Sequence, residues 1–158
     1  MPNIIYQVGD ATNPQTQGNK LIVHCCNDVG AWGKGFVLAI SKKWPNAEKA
    51  YRDWYKGKLN NSFALGSVQF VQVEVDIWIA NLIGQHGIIS KSNPLPIRYR
   101  AIEKGLNNVA VFATANSCSI HMPRIGAGLA GGRWEQISPI IEQTLTNKGL
   151  SVTVYNLK

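Results

Sequence analysis

Two glycine-rich stretches hold the residues whose types and spacing can do chemistry. The first, Asn27-Asp28-Val29-Gly30-Ala31-Trp32-Gly33-Lys34-Gly35, follows the apolar run KLIVHCC (20–26) and precedes a helical pattern. The second, MPRIGAGLAGGRWEQI (122–137), places Gly126, Gly128, Gly131 and Gly132 close together, again between an apolar run and a helical pattern. A glycine costs roughly 0.5–1 kcal/mol where alanine would serve. Such density implies unusual backbone angles or close approach of something to the main chain. Backbone N–H groups at a helix N-terminus point outward and bind phosphate. Two such loops in one short chain can clamp a diphosphate from two sides. The bland alternative is a pair of tight, closely packed turns.

Residues 126–131 match G-x-G-x-x-G after a strand and before a helix. A dinucleotide fold, however, opens with that motif and carries an acidic residue about 20 positions further on. Here the motif lies near the end of the chain, and residues 146–158 hold no Asp or Glu. The anion loop is kept and the redox fold dropped. The first loop is not a Walker A loop either, since position 28 is Asp and no Ser or Thr follows Lys34.

His24, Asn27 and Asp28 stand where the second apolar run opens into the first loop. Asn27 can bond a ribose hydroxyl or support the turn. Asp28 or His24 can steer or deprotonate water, or protonate a leaving group. Asp28 is the more accessible, and His24 has the better unperturbed pKa. The alternatives are a core histidine and a turn-capping aspartate. Trp32 either covers a ligand or packs on the following helix. Asp10, after Gly9, is a turn residue or an acceptor for a base amino group. Cys25, Cys26 and Cys118 lie in apolar runs and read as buried, inert, reduced thiols. His24, His86 and His121 share no metal-ligand spacing. Neither a metal nor a cofactor is expected.

These residues need strands and helices to place them. Residues 3–8 and 20–26 read as strands, 35–43 as a helix, and a second helix runs from an Asn46 cap to about Trp54 after the Pro45 interruption. Residues 67–74 alternate at period two and pair with 76–83 as a hairpin. The stretch 84–96 is loop. Residues 97–108 read as a helix, with VAVF (109–112) either extending it or starting a strand. A strand at 117–122, a helix at 134–147 and a strand at 150–157 complete the chain. The alternation predicts an α/β fold with a mixed sheet between helices.

The whole chain of 158 residues reads as a single domain, with 45% hydrophobic and 16% charged residues. No apolar run is long enough to span a membrane. MPNIIYQVGD has neither the charged start nor the apolar stretch of a secretion signal, so a cytoplasmic protein is expected. A net charge of +7 favours an anionic partner without fixing its class. The basic residues are scattered, and no aromatic–basic interleaving supports nucleic-acid binding as the principal role.

With the elements in order, the chain resembles the macrodomain family, which binds ADP-ribose. The resemblance rests on VGDAT (8–12), VHCCNDVGAWGKGFVLAI (23–40), ANLIGQHG (80–87), MPRIGAGLAGGRW (122–134) and VTVYNL (152–157). It implies a three-layer α/β/α sandwich around a mixed central sheet. It also implies that Asp10 accepts from the adenine amino group and that Tyr155 and Asn156 border the same end. Gly33, Lys34 and Gly35 would contact the distal part of the ligand. Ile125, Gly126, Ala127, Gly128 and Leu129 would wrap the diphosphate and distal ribose, and Asn27 would bond that ribose. Gly9, Ala11, Trp32, Gln85 and Ala130 complete the expected ligand-binding set.

Two branches of the family look similar. One removes phosphate from ADP-ribose 1″-phosphate, and HCCNDVGAWGKG (24–35) is close to its pattern. The other cleaves ADP-ribose from glutamate side chains or DNA bases, using a lysine after "NL" and often an aspartate in the second glycine loop. Those positions here hold Gln85 and Ala130. The expectation is therefore an ADP-ribose 1″-phosphate phosphatase, with His24, Asn27 and Asp28 as the catalytic trio, or a hydrolase whose substrate's own phosphate helps activate water. The rivals are a hydrolase releasing ADP-ribose from protein or DNA, and a non-catalytic ADP-ribose-binding module.

Overall fold

The computed structural model describes residues 3–157. Six strands form one sheet: β1 (Ile5–Val8), β2 (Lys20–Asn27), β3 (Val68–Glu74), β4 (Ile77–Gln85), β5 (Ser119–Met122) and β6 (Val152–Asn156). Their order is β1-β6-β5-β2-β4-β3, with every neighbouring pair parallel except the β3–β4 hairpin. The sheet is mixed, as the alternation predicts.

Period-two alternation in β2 sends its side chains into two separate cores. Leu21 and Val23 join Ile120, Met122 and Val154 under α3 (Tyr99–Asn116) and α4 (Trp134–Thr144). Ile22 and Cys26 join Ile79 and Ile83 under α1 (Val37–Lys43) and α2 (Pro45–Lys56). Helices therefore cover both faces, giving the three-layer α/β/α sandwich. Cys25 and Cys26 go to opposite faces, and all three cysteines are unbridged.

Local structure departs from the sequence pattern at two helix ends and settles one alternative that the pattern left open. The second helix begins at Pro45 with Trp44 as its N-cap, so Asn46 is not the cap. Proline suits the first helical position, where its missing N–H would have had no partner. The ambiguous VAVF (109–112) is helical: Val109 and Ala110 are buried and Val111 is exposed, completing the α3 face begun by Ala101, Ile102 and Leu106. Helix α4 stops at Thr144, and a single tight turn (Thr146–Lys148) leads into β6. No helix among the described residues is long and apolar enough to cross a membrane.

Candidate functional site

Strands β1, β6, β5, β2 and β4 run in parallel, so their carboxyl ends share one edge of the sheet. Open α/β sheets bind ligands at that edge. A cavity of about 540 Å³ opens there, and both glycine loops line it.

Asn27 builds the first loop. Its Nδ2 donates to the Ala31 carbonyl (2.8 Å), and its Oδ1 accepts from the N–H groups of Val29 and Ala31 (both 3.0 Å). The buried Tyr51 hydroxyl lies 2.6 Å from the Asn27 carbonyl and 2.9 Å from Oδ1. The folded loop leaves the N–H groups of Gly33, Lys34 and Gly35 without a protein acceptor among the described residues, and all three residues line the cavity.

The second loop is closed by its own backbone. Gly132 N–H donates to the Gly126 carbonyl (2.7 Å) and Gly131 N–H to the Gly128 carbonyl (3.0 Å), while Ala130 accepts from Ile97 (3.0 Å). Gly126 has φ +74°, and a methyl there would lie 2.5 Å from Ile97 Cδ1. Its glycine is thus a requirement of the turn. Gly128 is different: a methyl on it would meet no atom within 4 Å. The N–H groups of Gly128, Leu129 and Ala130 have no protein acceptor among the described residues. Two arrays of unengaged amides therefore line one cleft. A methyl on Gly35 would lie 3.5 Å from Leu129 Cδ1, so the loops face each other at van der Waals distance.

The proposed trio does not assemble as expected. His24 lines the cavity but is only 1 % exposed, with Nε2 2.5 Å from Asn81 Oδ1. Burial pushes its pKa down to about 4, opposed by the hydrogen bond to Asn81. It is neutral near pH 7, with Nε2–H donating to Asn81, and it packs edge-on against Trp32. It is a core histidine. Asp28 does not line the cavity. Its Oδ2 is 2.7 Å from His86 Nδ1 and its Oδ1 accepts from Gly87 N–H (2.8 Å), so it anchors the segment after β4. Asn27 lines the cavity with its side-chain hydrogen bonds committed to the loop.

Trp32 is 3 % exposed, packed against Tyr51 of α2 and His24. Of the two alternatives, cover over a ligand or packing on a helix, the structure shows packing, with Val37 and Ile40 of α1 and Tyr51 of α2 in the same core cluster. Gln85 lines the cavity as the last residue of β4, its Nε2 donating to the Gly87 carbonyl. Lys34, Ile125, Gly126, Leu129 and Ala130 also line the cavity, whereas Ala127 packs on the core below.

The strand ends next door hold the remaining candidates outside the cavity wall. Gly9 N–H donates to the Asn156 carbonyl. Asp10 is exposed, and its Oδ1 accepts from the N–H and hydroxyl of Thr12 (2.8 Å each), leaving Oδ2 outward. Ala11 is buried. Tyr155 turns into the sheet face, where its hydroxyl meets His121 Nδ1 at 2.7 Å. Only Asn156 of that pair faces the rim, accepting from Arg124 Nε at 2.7 Å.

Several lining residues escaped the sequence reading, notably Phe36, Ile88, Ile89 and Arg124. Two adjacent isoleucines inside a polar loop were the available signal for one wall. Among the described residues the cavity's charged lining is Lys34 and Arg124, and no carboxylate lines it. No cluster of metal ligands occurs among the described residues.

No family model matches the chain. Among solved structures, a macrodomain protein from Streptomyces coelicolor is 52% identical, with TM-score 0.88 over 98% of this chain and 99% of that one. The chain belongs to the macrodomain family. A protein of unknown function from Bacteroides thetaiotaomicron is 54% identical to this macrodomain, with TM-score 0.93 over 97% of each chain. Among curated relatives, the mouse chromodomain-helicase-DNA-binding protein 1-like is 29% identical over 97% of this macrodomain, which spans only 18% of that protein. The ADP-ribose 1″-phosphate phosphatase of Candida albicans is 26% identical, over 89% of this chain and 92% of the phosphatase. The bovine ADP-ribose glycohydrolase OARD1 is 28% identical, over 98% and 91%.

Proposed function

We propose that this macrodomain binds the ADP-ribosyl group in the cleft between its glycine loops and hydrolyses ADP-ribose 1″-phosphate there. The observation that carries the reading is the pair of amide arrays, Gly33–Gly35 and Gly128–Ala130, facing each other beside Lys34 with no carboxylate in the cavity wall. Such a wall suits a pyrophosphate plus a further phosphomonoester, and backbone amides aimed at developing charge need no reorganisation. Asp10 Oδ2, at the neighbouring strand end, would accept from the adenine amino group. The phosphatase relatives and OARD1 support the same ligand class.

His24 and Asp28 are engaged elsewhere, so the reaction relies on positioning and on the substrate. A phosphate monoester has a second ionisation near pH 6 and keeps a proton below it. Water attacks phosphorus, the bond from phosphorus to the 1″ oxygen breaks, and the phosphate's proton passes to that oxygen. The products are ADP-ribose and inorganic phosphate. Lys34 and the Gly33–Gly35 amides would hold the transferred group in line.

A second reading has its own support: no carboxylate of the described residues lines the cavity and its histidine, His24, is buried and neutral near pH 7, which fits a non-catalytic ADP-ribose reader. One experiment separates them. Phosphate release from ADP-ribose 1″-phosphate is followed across pH, with calorimetric binding of ADP-ribose in parallel. Turnover that falls as pH rises through about 6 to 8, and that Lys34→Ala reduces more than it reduces ADP-ribose binding, is expected of the phosphatase. Tight binding with no release of phosphate, or of ADP-ribose from glutamate- or thymine-linked conjugates, would leave a reader. Absence of ADP-ribose binding would overturn both.

A further inference from the structure

Arg124 is held more elaborately than a cleft-rim cation requires. Its Nε donates to Asn156 Oδ1 at 2.7 Å. Its Cζ lies 5.5 Å from the Tyr6 ring centre and 5.0 Å from that of Trp134. Those rings meet edge to face at 77°, and Trp134 Nε1 donates to the Tyr6 hydroxyl at 3.1 Å. Three elements, β1, β6 and the start of α4, thus fix one guanidinium. Its two terminal nitrogens have no acceptor and no carboxylate partner among the described residues, and the residue lines the cavity.

The direction of the side chain locates its target. It runs from the second loop toward the ends of β6 and β1, where Asn156 and Asp10 stand, and away from the Gly33–Gly35 array on the far side of the cleft. With the pyrophosphate on the amides and the base toward Asp10, the sugar joining them passes Arg124. A pre-oriented guanidinium fork is matched to phosphate oxygens, and a neutral sugar hydroxyl leaves its charge uncompensated. An arginine beside the adenosine ribose is also how dinucleotide-binding proteins accommodate a 2′-phosphate.

We propose that Arg124, on its Tyr6–Trp134–Asn156 shelf, is a second anion site that selects ADP-ribosyl nucleotides carrying a phosphate on the adenosine-side ribose. This rests on the cleft being an ADP-ribose site.

The test is calorimetric binding of ADP-ribose and ADP-ribose 2′-phosphate to wild type, Arg124→Ala and Arg124→Lys. The readout is the ratio of the two dissociation constants. Wild type is expected to prefer the 2′-phosphate by roughly tenfold at low salt, and the preference shrinks as salt rises. Arg124→Ala should bring the ratio to unity or below, whatever happens to absolute affinity. Arg124→Lys should restore part of the preference, because charge returns without the fork. Asn156→Ala, which removes the tether and keeps the charge, should lower the ratio as well. Equal or weaker wild-type binding of the 2′-phosphate would overturn the inference alone. So would an Arg124→Ala effect equal for both ligands, which would place Arg124 on the shared pyrophosphate. Failure of both ligands to bind would overturn this inference together with the ADP-ribose reading.

Discussion

Asp28 and His86, 58 residues apart in the chain, meet at 2.7 Å and tie the first glycine loop to the segment after β4. Asp28 also accepts from Gly87 N–H, and Asn93 Nδ2 donates to the carbonyls of His86 and Ile88. These bonds hold Ile88 and Ile89 against the cavity although both are about half exposed. Asp28→Ala should loosen that wall and weaken ADP-ribose binding roughly fivefold to tenfold, the effect of about one net hydrogen bond. His86→Ala should do less, since the imidazole is mostly exposed and such pairs contribute about 0–1 kcal/mol. Calorimetry on both variants checks this. Lost turnover at unchanged affinity in Asp28→Ala would instead restore the aspartate as the group acting on water.

Three glycines of the second loop should separate into two behaviours. Gly126→Ala forces a methyl into a left-handed backbone and against Ile97, and Gly132→Ala puts one 2.5 Å from the Gly126 carbonyl. Each should destabilise the fold by about 1–3 kcal/mol. Gly128→Val has open space and no strained φ, so its stability should stay within about 0.5 kcal/mol of wild type. Its isopropyl group nevertheless occupies the ligand's approach to the amides, and ADP-ribose affinity should fall at least roughly tenfold. Thermal melts and binding measured side by side decide it. A Gly128→Val protein that binds normally would mean the ligand does not touch this stretch of main chain.

In the sequence Asn27 could bond a ribose or support the turn, and its geometry makes it a keystone of the first loop. Asn27→Ala removes the acceptor for two N–H groups and the donor to Ala31, beside the buried Tyr51 hydroxyl. The expected cost is about 2–3 kcal/mol of stability, read from urea denaturation midpoints. Asn27→Asp keeps the acceptors and should cost less. A variant of wild-type stability that fails to bind would argue for direct contact between Asn27 and the ligand.

The layers were legible because alternation in β2 and in the β3–β4 hairpin is a local signal, as is the burial pattern of α3. The glycine loops were legible because their composition is unusual and their neighbours are strands and helices. Side-chain partners were not. Nothing near His24 in the chain announces Asn81, 57 residues away, and nothing near Asp28 announces His86. Nothing near Trp32 in the chain announces its packing on Tyr51 of α2. Arg124 passed as one scattered cation because its shelf comes from Tyr6, Trp134 and Asn156, brought together only by sheet order.

Two buried histidines set the response of the fold to acid. Burial lowers both His24 and His121 to about 4, with the nearby Lys20 adding to the effect on His121. Unfolded histidine titrates near 6.5, so between about pH 6.5 and 4 the unfolded chain binds more protons than the native protein. Stability is therefore full above about 6.5 and is lost as pH falls toward 4. Each unit of displacement is about 1.4 kcal/mol, so the two sites together remove on the order of several kcal/mol by pH 4. The carboxyls of Asp53 and Asp76, held below their usual range by hydrogen bonds from Lys49 and Lys20, contribute only at lower pH. Urea denaturation midpoints should fall steadily from about pH 7 to 4.5, and His121→Asn should flatten roughly half of that slope, counting the two histidines as equal contributors. A midpoint independent of pH over this range would mean that neither imidazole is buried in its neutral form.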